Sequence, residues 1–548
     1  MNNQSTPTTT PNRAARRAAL RKAGVVGSGA LLAGAAPLAL IAGTSGVAHA
    51  ATYTVTTTDD AGAGSLRDAI GAANAGDTVD LTGVSGTITL TTGKIFLDAG
   101  VNIVGPGAAT LTIDGNGADR IFSMQGTGAG SISGVTLTNG GAVSLGGAIN
   151  CGSDGPDSDL TITDVVFDGN TATTKGGAIS WSYCGDLTIT GSTFTDNVGG
   201  SGGAVSFYYA YGALTVSDST FSGNTSDNNG GAVYLDGEQS ASFTRSTFTD
   251  NSTTGNGGAL YANSTSVTMT DVEFDSNHSD AYGGAFTLYA TSASVLTRVD
   301  AHDNDALYGG AGFLYGRGLY EDLAIIDSRF VDNTATYGGG ALFLGEMVDS
   351  ETLISGTTFS GNAAADGGAL YVVNGDPSDP LTPIIVERST FSDNTATNDG
   401  GAIFVGTDNL EAVNSTFVGN SAGGSGGAIF TESDLGLTFV TVTGNTSVAG
   451  GDGVHVVDHT LSLAASIVAG NSGSGTDITA YNGTIEAEDS VIGLYGGTGA
   501  TFTDNGGNAT GVTDPGLGAL ADNGGPTLTM LPAASSPPID HGPATTPI

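Results

Sequence analysis

Few side chains in this sequence suit chemistry, and they are unevenly spread. Beyond residue 50 stand two lysines (Lys94, Lys175), seven arginines and 54 acidic groups. A lyase-type centre needs a Lys or Arg base beside carboxylates holding Ca²⁺, and a hydrolase needs paired carboxylates about 5–10 Å apart. Here the aspartates recur at regular spacing in Thr/Ser-Asp-Asn triplets (Asp196, Asp250, Asp393), and the arginines mostly share one column of a repeat. The six histidines are scattered, with His302 at a degenerate repeat copy. Phosphate loop, zinc spacing and nucleophile elbow are all missing. No catalytic residue and no cofactor is assigned, and Ca²⁺ is the only cation the carboxylates suggest.

Two stretches offer binding contacts instead. Phe207–Gly212 reads FYYAYG, placing Tyr208, Tyr209 and Tyr211 together, and clustered aromatics favour contact with sugar or protein. Gly375–Pro383 (GDPSDPLTP) lengthens one repeat into a loop carrying Asp376 and Asp379. A third feature is an array of Thr pairs (Thr161/Thr163, Thr188/Thr190, Thr215/Ser217, Ser242/Thr244, Thr268/Thr270). Stacked, these would form a flat hydroxyl surface suited to ice or crystalline polysaccharide, although Thr is also simply a good strand residue.

The elements that position these groups come from a repeat. A Phe-x-x-Asn unit places Asn at 170, 197, 224, 251, 277, 304, 333, 362, 394, 420, 445 and 471, a mean step of about 27 residues. A Gly-Gly-Ala element keeps pace, opening at Gly176, Gly202, Gly230 and onward to Gly426. Apolar residues alternate with period two before each Asn (Leu187/Ile189, Leu214/Val216) and after each Gly-Gly-Ala (Ile179/Trp181, Val205/Phe207). Together with the Phe column (Phe167, Phe194, Phe221, Phe248), this describes three short strands per turn, cornered by Gly and Asn. The fold class is all-β, a single parallel β-helix of roughly 14–16 coils. Asn170, Asn197, Asn224, Asn251, Asn277, Asn304, Asn333, Asn362, Asn394 and Asn420 are expected to form a structural ladder, bonding backbone groups at the corner and one another between coils. Six residues before the Asn, Asp218, Arg245, Asp271, Arg298 and Asp327 alternate in sign, which predicts a charge ladder on the outside.

Residues 1–50 hold five basic and no acidic groups, an apolar segment from Ala23 to about Gly46, and Ala48-His49-Ala50, the pattern of an export signal with twin-arginine-like Arg16-Arg17. The remainder carries 9 basic against 54 acidic groups, a formal charge of −45 compared with −40 for the whole chain. Such a body repels nucleic acid and anionic surfaces. Cys151 and Cys184, one repeat apart, are expected to pair after export. Residues 51–139 read as an N-terminal cap and first coils, with a short helix over 66–74 after Ser65. Residues 140–471 form the repeat array, and 472–548 supply the last coils and an irregular, Pro-rich cap.

The paired Gly-Gly-Ala and Phe-x-x-Asn elements resemble the repeat of polymorphic outer membrane proteins, over roughly Gly140 to Asn471. Gly64–Asp80 and Leu520–Gly542 are similar to the ends of exported bacterial β-helix proteins termed choice-of-anchor Q. The resemblance implies a right-handed, pectate-lyase-like solenoid displayed or released at the cell surface, with adhesion as its usual role. The sequence shows neither the C-terminal β-barrel nor a sorting motif, so a secreted or peripherally held protein is expected. The reading is a non-catalytic monomer that binds an extracellular glycan or cell-surface protein, with no nucleic acid and no membrane span in the mature chain. The alternatives are a polysaccharide lyase or hydrolase, and a protein that binds ice or a crystalline surface.

Overall fold

The computed structural model describes residues 50–540, apart from 99, 142, 153–157, 238, 290–292, 317–321, 347–351 and 374–382. The segment read as an export signal, Asp376 and Asp379 lie outside the described residues.

One coil shows how the sequence becomes structure. Leu187–Thr190, Thr193–Thr195, Val198–Gly199 and Val205–Tyr208 are successive strands on four flanks. Each pairs in parallel with its counterpart in the next coil, through Leu187↔Leu214, Phe194↔Phe221 and Val205↔Val233. Period-two alternation turns Leu187 and Ile189 inward and leaves Thr188 and Thr190 outward. About 15 such turns stack into a parallel β-helix. The sheet begun by Leu187–Thr190 is called the first, that of Thr193–Thr195 the second, and that of Val205–Tyr208 the third.

The corners explain the punctuation. Gly202 has φ +69°, and a Cβ there would lie 2.2 Å from the Val205 carbonyl oxygen, so the bend into the third sheet requires glycine. Between the first and second sheets each coil turns on one left-handed residue, and Asp218, Arg245, Asp271, Arg298 and Asp327 occupy that position with φ of 47–56°.

Inside, the Phe column stacks face to face, with ring centroids 4.5–5.0 Å apart from Phe167 to Phe274 and 4.7–5.2 Å apart from Phe330 to Phe417. Ala301 breaks it, and Phe286 of the third sheet leans toward Phe274, 5.5 Å away and tilted 49°. Beside the column, each Asn from Asn170 to Asn445 donates through Nδ2 to the Oδ1 of the next Asn at 2.9–3.0 Å. The same Nδ2 reaches a backbone carbonyl of the preceding coil, as Asn224 does to Phe194. The run ends where Asn471 donates to Asp477.

The helix Leu66–Ala72 is capped by Ser65, whose hydroxyl accepts the Asp68 N–H, and it buries Leu66, Ala69 and Ile70. At the other end the tail does more than cap. Its antiparallel bridges Leu517↔Pro532 and Ala521↔Thr529 make a hairpin that returns along the side of much earlier coils. Thr527 donates to the Arg388 carbonyl, and Thr390 donates to that of Leu528. The Pro-rich end is therefore a side strap, tied some 138 residues back along the chain. Among the described residues no helix is long and apolar enough to cross a membrane.

Candidate functional site

The bend before the third sheet is concave on the outside, because side chains from its two flanks touch across the Gly-Gly corner. Tyr282, just before Gly283, stacks on Phe313 of the following coil at 4.6 Å, and Tyr308 meets Phe343 edge-on at 5.6 Å. A groove therefore runs along the solenoid. Its floor is the outward column of the third sheet, in the register Asn150, Ser180, Ser206, Tyr234, Tyr261, Thr287, Phe313, Phe343, Tyr371, Phe404, Phe430, His455.

The groove has two halves. From Phe313 to His455 the rings stack on one another at 4.6–5.3 Å. Phe313, Phe343 and Phe430 are buried although they point outward. The earlier half is open and mixed. At its edge, on the turns that leave the third sheet, Tyr183, Tyr209 and Tyr211 are 45%, 51% and 60% exposed, with centroids 6.2 Å (Tyr183–Tyr209) and 6.4 Å (Tyr183–Tyr211) apart. Tyr208 faces the ammonium of Lys175 at 4.6 Å, and Tyr234 faces it at 3.8 Å. Tyr234 also donates to Asp236. Burial lowers the Lys175 pKa against the opposing pull of Asp236, and burial pushes Tyr261 up to about 12.

The disulfide Cys151–Cys184 joins this half from inside. Cys184 follows Tyr183 and accepts the Tyr211 N–H, while Tyr183 N–H donates to the Tyr209 carbonyl. The bond thus anchors the two turns that carry the exposed tyrosines.

Of the residues singled out from sequence, Tyr208 faces Lys175 on the outside of the third sheet, while Tyr209 and Tyr211 stand on the turn that follows that sheet, with Tyr209 6.0 Å from Tyr208. The charged column falls elsewhere, as separate pairs instead of a continuous ladder: Arg245 grips Asp218 with two bonds of 2.7 and 2.8 Å, and Arg298 grips Asp271 at 2.5 and 2.9 Å. The Thr pairs from Thr161 to Thr270 stand in register on the outer face of the first sheet.

Sequence reasoning missed Lys175, Ser180, Ser206, Tyr234 and the aromatic column. The signal was the residue after Gly-Gly-Ala-apolar, which reads Ser, Ser, Tyr, Tyr, Thr, Phe, Phe, Tyr, Phe, Phe along the chain. The regular spacing of the carboxylates has one local exception. On the second sheet the outward Thr pattern gives way to Glu273/Asp275 and Asp300/His302 in adjacent coils. His302 Nδ1 lies 3.0 Å from Asp303 and 3.3 Å from Asp275, and its Nε2 lies 3.4 Å from Glu273. On the flank of Val198–Gly199, His278 bridges Asp305 at 2.7 Å and Asp280 at 3.0 Å. Burial disfavours both imidazolium forms, yet the carboxylates prevail and raise both pKa values. Asp275, His302 and Asp303 converge closely enough to hold a divalent cation.

Comparison with known proteins bears on the fold. No curated protein matches the chain. Among solved structures, the A-module of a mannuronan C-5 epimerase from Azotobacter vinelandii is similar at 13% identity, covering 84% of this chain and 99% of that one with a TM-score of 0.28. The catalytic domain of a GH87 α-1,3-glucanase in complex with nigerose is similar at 12% identity, covering 86% and 70% with a TM-score of 0.29. An alginate lyase complex is similar at 11% identity, covering 84% and 86% with a TM-score of 0.30. Residues 99–306 match the family described as right handed beta helix region. Residues 356–373, 388–406 and 414–432 match the Chlamydia polymorphic membrane protein repeat. The chain is a right-handed parallel β-helix, three segments of which match the polymorphic membrane protein repeat.

Proposed function

We propose that this protein is a secreted or surface-held solenoid that binds a neutral glycan chain along the open half of its groove without cleaving it. The observation that carries the reading is the half-exposed cluster Tyr183, Tyr209 and Tyr211, set on anchored turns beside a polar floor. Tyrosine offers an apolar ring face and a polar tip at low entropic cost, which suits the mixed surface of a sugar. A groove running along the solenoid suits a polymer, and a body of charge −45 disfavours an anionic one. The polymorphic-membrane-protein repeats support surface association.

A glycan array probed with residues 51–548, with and without Ca²⁺, tests the reading. Neutral polymers should be retained by the native protein and lost by the Tyr209→Ala/Tyr211→Ala variant. Retention that survives this variant would sink it. A second reading, cleavage of the bound chain, is favoured by the imidazole–carboxylate cluster around His302. Release of reducing ends by the native protein but not by His302→Ala would replace binding with hydrolysis.

A further inference from the structure

The floor of the open half contains an anomaly. Ser180 Oγ, Ser206 Oγ and Asn150 Oδ1 are buried and have no hydrogen-bond partner, and the three residues are consecutive in the groove column. Both serines are fully buried although they point away from the core, between inward neighbours such as Ile179 and Trp181. Lys175 reaches over this stretch of the floor. It precedes the Gly176-Gly177 bend of Ser180's own coil, yet its ammonium lies 3.8 Å from the ring centre of Tyr234, two coils further on. Its stem must cross the intervening coil, where Ser206 sits. The ammonium also closes one face of Tyr234, whose other face is stacked on Tyr261 at 5.5 Å.

We propose that Asn150, Ser180, Ser206 and the covered face of Tyr234 form a sugar subsite, and that Lys175 is the latch lying over it. The inference rests on the glycan reading above and names its polar contacts. A hydroxyl-bearing sugar ring that displaces Lys175 gains the Tyr234 face on one side. On the floor it meets oxygens able to accept its hydroxyl hydrogens, and the two serine hydroxyls can donate in return. Buried oxygens without partners are costly in the free protein, and a ligand that supplies partners removes that cost. In swinging out, Lys175 exchanges its two ring contacts and the attraction of Asp236 for hydration.

The test uses the chain 51–548 in native gels containing galactomannan or mixed-linkage β-glucan, with polygalacturonate as the anionic control. The Ser180→Ala/Ser206→Ala variant should be retarded about tenfold less in apparent affinity and should melt at a higher temperature, because it removes two unpartnered hydroxyls. Lys175→Ala should bind a neutral polymer more tightly, having lost its latch. Three results would overturn the subsite: a lower melting temperature for the double variant, unchanged retardation of it, or weaker binding by Lys175→Ala. If the native protein is retarded by neither neutral polymer, the glycan reading itself falls. A native protein that is retarded, beside a double variant that is retarded equally, removes the subsite alone.

Discussion

The two halves of the groove share a sheet, a bend and a register, and they differ in what fills the concavity. From Phe313 to His455 the protein fills it with its own rings, each face occupied by a neighbour, so only ring edges remain. From Asn150 to Tyr261 the filling is partial: serines without partners, a lysine laid across them, and tyrosines half in solvent. The sealed half is completed by packing. The open half carries polar costs that packing alone does not explain. In a solenoid whose repeats serve as templates for one another, binding is sought where the template is left unfinished.

Five experiments test this contrast. The largest effect is expected from Cys151→Ser/Cys184→Ser, which opens a link across 33 residues and should cost about 3–4 kcal/mol. Hydrogen exchange should show the loss in the coils bearing Tyr183 and Tyr209, and equal loosening around Phe404 would contradict a local role. Next, Phe343→Ala removes a buried ring stacked between Phe313 and Tyr371 and should cost about 3 kcal/mol while leaving glycan retention intact. Tyr209→Ala should do the reverse, changing stability by no more than about 0.5 kcal/mol.

A smaller effect follows pH. The folded pKa values of His278 and His302 are raised, so their stabilisation is complete below the ordinary imidazole value of about 6.5 and is lost as pH rises through the folded values. Exchange protection in the coils from Glu273 to Asp305 should therefore fall as pH rises above about 6.5. The open groove should not follow. Smallest of all is Arg245→Gln, which breaks a solvent-exposed pair with Asp218 and should become undetectable as salt is raised.

The architecture was legible because each strand announces itself locally. Leu187 and Ile189, then Phe194, then Val205 and Phe207 show period two between Gly and Asn corners, and the repeat supplies the stacking rule. The groove was not legible, since whether Tyr234 or Phe343 is outward and covered depends on the concavity of the Gly-Gly bend, which is set between coils. Lys175 and Tyr234 stand 59 positions apart in the sequence and meet only because one side chain spans two coils. The carboxylates around His302 could have been found by counting one repeat along the chain, because Glu273↔Asp300 and Asp275↔His302 are direct register partners. The alternation of Asp218 and Arg245 was visible, but its grouping into separate pairs depends on side-chain reach.

One bond gives the site a history. Cys151–Cys184 holds the turn that in turn holds Tyr209 and Tyr211. A thiol pair of this kind stays reduced in a cytoplasm and closes only in an oxidising space. The solenoid can wind without it, since its ladders owe nothing to sulfur, whereas the tyrosine cluster gains its anchor only once the bond has formed. For the exported glycan binder proposed above, oxidation would then be a maturation step, with the tyrosine cluster anchored only after the chain had left the compartment in which it was made.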